Sequence, residues 1–134
     1  MISILLVDSE SEICSEISRV LQRYGLHVQT ANTLEKALQM ARQSPYDAIL
    51  VEFNLRSEGK DSASAGMGLE LIRGLRASGT KASLVVFTAM EGEVYETMSR
   101  EAGADDFIQK VTGITRLLYR LGAHLDGGQG SWCL

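Results

Sequence analysis

The stretch that most constrains the fold runs from Asp47 to Asn54 and reads DAILVEFN. Its four apolar residues, 48–51, do not alternate with polar ones, and they lead directly into a single carboxylate, Glu52. An apolar run of this length that stops at a polar residue is typical of a strand buried on both faces, as in the middle of a parallel sheet. Ligands bind beyond the carboxyl ends of such strands, so Glu52 is a candidate site residue.

The rest of the chain alternates strand-like and helix-like segments. Helical spacing of apolar residues predicts two amphipathic helices in the first third, a short third helix around Leu71 and Leu75, a polar fourth and a strongly amphipathic fifth. Strict alternation with short links predicts an α/β doubly wound fold, with a parallel sheet between helices, and leaves two strand orders open. The five strand-like runs are residues 2–7, 26–31, 48–51, 83–87 and 106–109.

Local signals mark the ends of the first two helices. Gly25 follows the first helix where a left-handed cap is favoured, and Pro45 follows the second where a helix must already have stopped. Ser9 and Asn32 each precede a glutamate by three residues, which is the spacing of a capping box. We therefore expect Ser9 and Asn32 to cap these helices.

Composition restricts the classes of function. The 134 residues suit one domain, which we place at residues 1–126, with a polar loop at 56–66 and a flexible Gly-rich tail at 127–134. The net charge is −4 and basic residues do not cluster, so we expect no nucleic-acid binding by this chain alone. No apolar stretch approaches a membrane-spanning length, and Cys14 and Cys133 have neither metal-ligand nor disulfide spacing. We expect a cytoplasmic protein that does not enter membranes.

Polar residues follow four of the predicted strands. Asp8 ends the first, Glu52 the third, Thr88 the fourth and Lys110 the fifth, so all four should meet at one edge of the sheet. Together with the strings LLVD, GLELI, FTA and AGADDFIQK, this pattern resembles a response-regulator receiver domain over nearly the whole chain. The resemblance implies a five-stranded parallel sheet in the flavodoxin-like order 2-1-3-4-5.

The resemblance also implies an acidic metal site. In a working receiver, two adjacent acids after the first strand and an aspartate after the third hold Mg²⁺, and that aspartate accepts a phosphoryl group. Here Asp8 takes the first acidic position, Ser9 the second and Glu52 the phospho-acceptor position. Asn54 takes the position whose backbone carbonyl completes the metal shell.

The residues that respond to phosphorylation in the family are retained. The resemblance assigns Thr88 to the hydroxyl that binds the phosphoryl oxygen, Lys110 to the cation that offsets its charge, and Phe107 to the aromatic switch position. Thr88 and Phe107 would thus be the switch residues.

Two of the three acidic positions have changed, and this alters the expected chemistry. Mg²⁺ demands near-ideal octahedral oxygen geometry, so Ser9 and the longer Glu52 both weaken the site. We expect weak or absent Mg²⁺ binding, through Asp8, Glu52 and Asn54 if at all, no other cofactor, and no ordinary phosphorylation. Glu52 instead extends a negative charge towards the switch, in partial imitation of a phosphoryl group.

Simpler interpretations compete at three positions. Thr88 could serve only to cap the fourth helix, Lys110 could be a surface cation paired with Asp105, and Phe107 could be an ordinary buried strand residue. Val111 stands where the family generally has a proline in cis, so we expect a trans bond there and a differently aimed Lys110.

The loop at 56–66 is longer than the family's usual segment. Either it covers the pocket, or Glu58 and Asp61 approach the pocket from it.

The leading hypothesis is a non-enzymatic signalling module that does not depend on phosphorylation. It would dock a protein partner or a second copy through its fourth helix, last strand and fifth helix. One alternative is a receiver that a histidine kinase still phosphorylates in a metal-dependent manner. Another is a flavodoxin-like binder of a flavin or nucleotide, although the acids after the first strand would repel a phosphate.

Overall fold

The structure is a computed structural model and describes residues 1–126. The tail predicted at 127–134 lies outside the described residues. Within residues 1–126, no helix is both long enough and apolar enough to span a membrane. Five strands alternate with five helices, and a 3-10 turn at Lys110–Thr112 precedes the last helix: β1 (Ser3–Val7), α1 (Ser11–Arg23), β2 (His27–Ala31), α2 (Leu34–Gln43), β3 (Ala48–Val51), α3 (Met67–Ala77), β4 (Ser83–Thr88), α4 (Glu93–Ala102), β5 (Asp106–Gln109) and α5 (Ile114–Asp126).

The strands form one parallel sheet in the order β2-β1-β3-β4-β5. This confirms the doubly wound α/β fold and the flavodoxin-like order. β3 lies in the centre of the sheet, and all four of its residues are buried. The uninterrupted apolar run is therefore explained as predicted, because both faces of β3 are buried.

Side chains of each strand alternate between two cores, one on each side of the sheet. Leu5 and Val7 of β1 face a core that includes residues of α2, α3 and α4. Ile4 and Leu6 face the other core, which includes residues of α1 and α5. The two layers of helices thus bury both faces of the sheet and leave its carboxyl edge free for polar groups.

Both capping predictions are wrong. The residue that caps α1 is Glu10, and within residues 1–126 its side chain makes no capping hydrogen bond. The Ser9 hydroxyl instead accepts a hydrogen bond at 2.8 Å from the backbone N–H of Arg56. Thr33, one residue after Asn32, caps α2 and accepts from the N–H of the third residue on at 3.2 Å.

The ends of the first two helices follow the sequence signals. Gly25, just after α1, adopts a positive φ of 82°, which glycine allows without steric cost. α2 ends at Gln43, with Ser44 as its cap, so the helix has stopped before Pro45.

The third helix is longer than predicted because it begins against the backbone that ends β3. The N–H of Gly68 donates to the Phe53 carbonyl at 3.0 Å. A Cβ added at Gly68 would lie 2.1 Å from the carbonyl oxygen of Glu52, a distance that only glycine permits. α3 therefore packs directly against the main chain of Glu52, the residue at the centre of the candidate site.

Replacing Gly68 by alanine is expected to lower the free energy of unfolding by about 1–3 kcal/mol, since the backbone must shift to admit the methyl group. Urea denaturation followed by circular dichroism measures the change. Gly74→Ala in the same helix is the control, because a Cβ there meets only the Leu38 side chain, at 3.3 Å. Its effect should stay within about 1 kcal/mol. Equal losses of unfolding free energy in Gly68→Ala and Gly74→Ala would contradict the close contact between α3 and the backbone of Glu52.

Candidate functional site

Strand register sets Asp8 and Glu52 side by side. Val7 of β1 pairs with Val51 of β3, and the N–H of Glu52 donates to the Val7 carbonyl at 3.0 Å. Asp8 and Glu52 are the next residues along, so they leave the sheet at the same level. Both are buried, where a carboxylate needs a partner to offset the loss of water.

Lys110 supplies the countercharge for both acids. Its Nζ donates to Asp8 Oδ2 at 2.6 Å and to Glu52 Oε1 at 3.0 Å. Burial alone would lower the pKa of Lys110, but the hydrogen bond to Asp8 and the charge of Glu52 outweigh it and raise the pKa. We call Asp8, Glu52 and Lys110 the charged triad.

The second carboxylate oxygen of Glu52 is bound from two other sides. The hydroxyl of Thr88, which is fully buried, donates to Glu52 Oε2 and accepts from the N–H of Met90 at 3.2 Å. The N–H of Asn54 donates to the same oxygen at 3.3 Å. Both oxygens of Glu52 are therefore hydrogen-bonded.

Two of the simpler interpretations are wrong. Thr88 does not cap α4, whose cap position is Gly92. Lys110 does not pair with Asp105, which binds Arg76 at 2.7 Å. Both side chains point instead at Glu52.

Phe107 and the chain after β5 complete the neighbourhood. Phe107 is a buried strand residue that belongs to the core on the α3 and α4 side. Residues 1–126 contain no cis peptide bond, so the bond before Val111 is trans as expected. The expected change in the aim of Lys110 does not follow, since its ammonium reaches both acids.

The segment 56–66 is anchored to two other parts of the chain. The N–H of Arg56 donates to Ser9, as described above. The Ser57 hydroxyl and the Glu58 N–H donate to the two carboxylate oxygens of Glu35, at 2.5 and 2.8 Å. These hydrogen bonds lower the pKa of Glu35. The loop is thus exposed but tied at its start.

The same segment lines one side of a cleft next to two residues of the charged triad. A cleft of about 480 Å³ opens beside Asp8 and Glu52, and Ala63 and Ala65 form part of its wall. The acidic residues of the segment, at 58 and 61, are exposed and do not line this cleft. Of the two possibilities left open by the sequence, the approach of Glu58 and Asp61 to the pocket is wrong, and whether the loop covers the pocket stays a prediction.

A third buried carboxylate, Asp106 of β5, was not singled out from the sequence. Its side chain is 2% exposed and binds Arg120 of α5 at 2.9 Å, Arg100 of α4 at 3.3 Å and His124 of α5 at 2.9 Å. The available signal was the i, i+4 spacing of Arg120 and His124 on the side of α5 next to β5. This network ties α4, β5 and α5 together.

Hydrogen bonds control the ionisation of Asp106. Burial by itself would raise its pKa, but hydrogen bonds from His124, the Phe107 N–H and Arg120 outweigh burial and lower the pKa. A carboxyl group with a lowered folded pKa stabilises the fold above its unfolded pKa, and the contribution is lost as the pH falls through the folded value.

The free energy of unfolding of the Asp106→Asn variant is expected to be about 1–3 kcal/mol lower than that of the wild type at neutral pH, because buried donors lose a charged acceptor. Its stability should also fall less steeply than that of the wild type below about pH 4. Urea titrations across acidic pH measure both effects. Glu101→Gln, at an exposed position of α4, is the control and should follow the wild-type curve. If the stability of Asp106→Asn fell as steeply at acidic pH as that of the wild type, the stabilising role assigned to the ionised Asp106 would be contradicted.

Comparison with known proteins places this geometry in a family. The family model for the response regulator receiver domain matches residues 4–121. The response regulator MprA of Mycobacterium leprae is 30% identical over 122 residues, which cover 91% of this chain and 50% of MprA. The chain thus spans about half the length of the curated relatives it matches.

Solved structures agree with the family match. A two-component response regulator from Clostridium difficile has a TM-score of 0.83 at 22% identity and covers 97% of this chain and 100% of its own, which shows the shared fold. The response regulator TrrA of Thermotoga maritima, solved in complex with Mg²⁺–BeF, has a TM-score of 0.77 at 25% identity and covers 93% of this chain and 100% of its own. This chain therefore belongs to the response regulator receiver domains of two-component signalling.

Proposed function

We propose that this receiver domain is a non-enzymatic signalling module that acts without phosphorylation, with Glu52 in place of the phosphorylated side chain. One observation carries the proposal. The Glu52 carboxylate binds the Thr88 hydroxyl and the Lys110 ammonium at the same time, the latter at 3.0 Å. These are the two groups that the family resemblance assigns to phosphoryl oxygens.

The imitation is partial in charge and in shape. A phosphoryl group carries roughly −1.5 to −2 charge and three acceptor oxygens, whereas Glu52 supplies one charge and two oxygens. Both oxygens are nevertheless used, one by Lys110 and the other by Thr88 and the N–H of Asn54. Glu52 can therefore order the same neighbours with a smaller bias than a phosphoryl group would give.

The donor set does not fit Mg²⁺. The Lys110 ammonium already bonds one oxygen of each acid, and Ser9, at the position of the missing acid, is engaged by the Arg56 N–H. Across residues 1–126, no group of three or more acidic, His or Cys side chains is placed to hold a metal ion. The Oδ1 of Asn54 is buried and unpaired in this part of the chain, but one neutral oxygen does not replace a lost carboxylate.

Thr88 links the charged triad to a surface. Its hydroxyl also accepts from the N–H of Met90, in the connection that leads to α4. Receiver domains interact with kinases and other proteins, and we assign the docking of a protein partner or a second copy to the face formed by α4, β5 and α5. A cleft of about 230 Å³ on this face is lined by Glu96, Arg116 and Arg120, among others, and offers both signs of charge.

Wild-type protein is expected to take no phosphoryl group from acetyl phosphate with Mg²⁺, because the nucleophile is paired with Lys110 and lacks the metal that offsets developing charge. Intact-mass spectrometry measures the product. The Ser9→Asp/Glu52→Asp variant restores the three acids and is expected to gain both Mg²⁺ binding and phosphorylation. Stoichiometric modification of wild-type Glu52 would instead support the phosphorylated alternative.

Glu52→Gln is expected to lower the pKa of Lys110 towards its ordinary value and to reduce the free energy of unfolding by about 1–3 kcal/mol, since a partly buried ammonium loses one of two carboxylates. The raised pKa of Lys110 stabilises the fold below the unfolded pKa, and this contribution is lost as the pH rises through the folded value. NMR of the lysine side-chain nitrogens reports the pKa. Glu58→Gln, in the exposed loop, is the matched control. An unchanged pKa of Lys110 in Glu52→Gln would contradict the ion pair between Lys110 and Glu52.

A further inference from the structure

β2 is an edge strand, and no other strand within residues 1–126 pairs with its outer side. In a parallel pair, alternate residues direct their backbone groups towards the neighbouring strand. The N–H of His27 donates to the Ile2 carbonyl at 2.9 Å, and the Ala31 carbonyl accepts from the residue after β1 at 3.1 Å. Val28 and Thr30 therefore direct their N–H and carbonyl groups outward, where an added strand could bind them.

β2 lacks the features that usually protect an exposed edge. Its sequence, HVQTA, contains no proline, lysine or acidic residue, which natural proteins place on edges to prevent pairing. Gln29 and Thr30 are exposed, and Val28 is half-buried. The edge is thus accessible and chemically suited to further pairing.

A trough of about 750 Å³ runs beside this edge between α1 and α2. α1 lines it with the small side chains of Ser11, Ser15 and Ser18, which leave room next to the strand. The Ser18 hydroxyl is buried and has no hydrogen-bond partner in the described part of the chain. An extended chain lies about 4.7–4.9 Å from the strand it pairs with, and the trough opens beside Val28, Gln29 and Thr30 of β2.

Each helix contributes one cation to the trough, Arg19 from α1 and Lys36 from α2. Both are exposed, and neither forms an ion pair within residues 1–126. The one acid in the lining, Asp8, is already bound by Lys110. The trough therefore presents unpaired positive charge on both rims.

We propose that the outer edge of β2 binds an extended acidic segment of a protein partner, which adds to the sheet as a sixth strand. Successive side chains of an added strand point to opposite faces of the sheet. Because α1 and α2 cover opposite faces, the segment can direct one acidic side chain to Arg19 and another to Lys36. This binding mode is independent of the function proposed for the charged triad.

Helix geometry sets the spacing of the two acids. Arg19 lies eight residues after the start of α1 and Lys36 two residues after the start of α2, so Arg19 is six residues, or about 9 Å, further along its own helix. An extended chain advances about 3.3 Å per residue. Acids three residues apart span about 10 Å and point to opposite faces of the sheet, and this is the separation chosen for the test.

The test uses a fluorescein-labelled peptide of sequence TVEVTDVT and the full chain, with fluorescence anisotropy as the readout. Saturable binding that weakens with added salt is expected. The Arg19→Glu/Lys36→Glu variant should bind it at least about tenfold more weakly, and should prefer the charge-reversed peptide TVKVTKVT. Preference of the wild type for TVKVTKVT, or no binding of either peptide, would overturn the proposal.

Thr30→Pro tests strand addition itself. Proline is tolerated on an edge strand where its N–H would face solvent, so the fold should survive while the outward donor is lost. Binding should fall by about tenfold or more, whereas Thr30→Val keeps the N–H and should bind as the wild type does. Amide hydrogen exchange should show protection of Val28 and Thr30 on binding. Undiminished binding by a folded Thr30→Pro variant would exclude a sixth strand.

A second peptide makes the test independent of the proline variant. TVEVTDVT with N-methyl groups on alternate backbone amides keeps its charges but cannot form the strand ladder on the methylated side. The methyl groups can be placed on either of the two sets of alternate amides, which gives two peptides. Wild-type protein should bind one of them with unchanged affinity and the other about tenfold or more weakly. Equal affinity for the two methylated peptides would mean that charge alone holds the peptide, and would overturn the proposal.

Discussion

An ammonium held between two buried carboxylates is the interaction on which the polar edge of the sheet depends. Asp8 and Glu52 leave adjacent strands at the same level, and their like charges would repel each other without Lys110 between them. The three residues are far apart in sequence, so only the parallel topology brings them together. Buried ion pairs contribute little net stability, because desolvation offsets most of their attraction. Their value here lies in fixing where three strand ends and their side chains sit.

Ser9, the residue after Asp8, has a structural role at the edge of the sheet. Its hydroxyl accepts a hydrogen bond from the Arg56 N–H and so holds the start of the segment 56–66, whose Ala63 and Ala65 line the cleft. Ser9 therefore connects the end of β1 to this segment. Glu35 and the Leu55–Ser64 bridge fix other points of this segment, so its position beside the cleft follows from several contacts rather than from one.

The strands, the order of elements and the meeting of polar residues at one edge could be predicted from the sequence, because apolar runs and their polar ends are local patterns. The capping residues could not. Whether Ser9 caps α1 depends on the course of a loop 47 residues away, which brings the Arg56 N–H to its hydroxyl. The Asp106 network also escaped, since a single acid in a short strand looks exposed until arginines from two helices enclose it.

The close contact between Gly68 and the Glu52 carbonyl has an evolutionary consequence. Because that contact fixes the main chain of residue 52, the carboxylate can lengthen or shorten by one methylene while its backbone stays in place. Codons for aspartate and glutamate differ only in their third base. A lineage carrying this glycine could therefore exchange aspartate and glutamate at residue 52 by a single mutation, with the backbone around it unaltered.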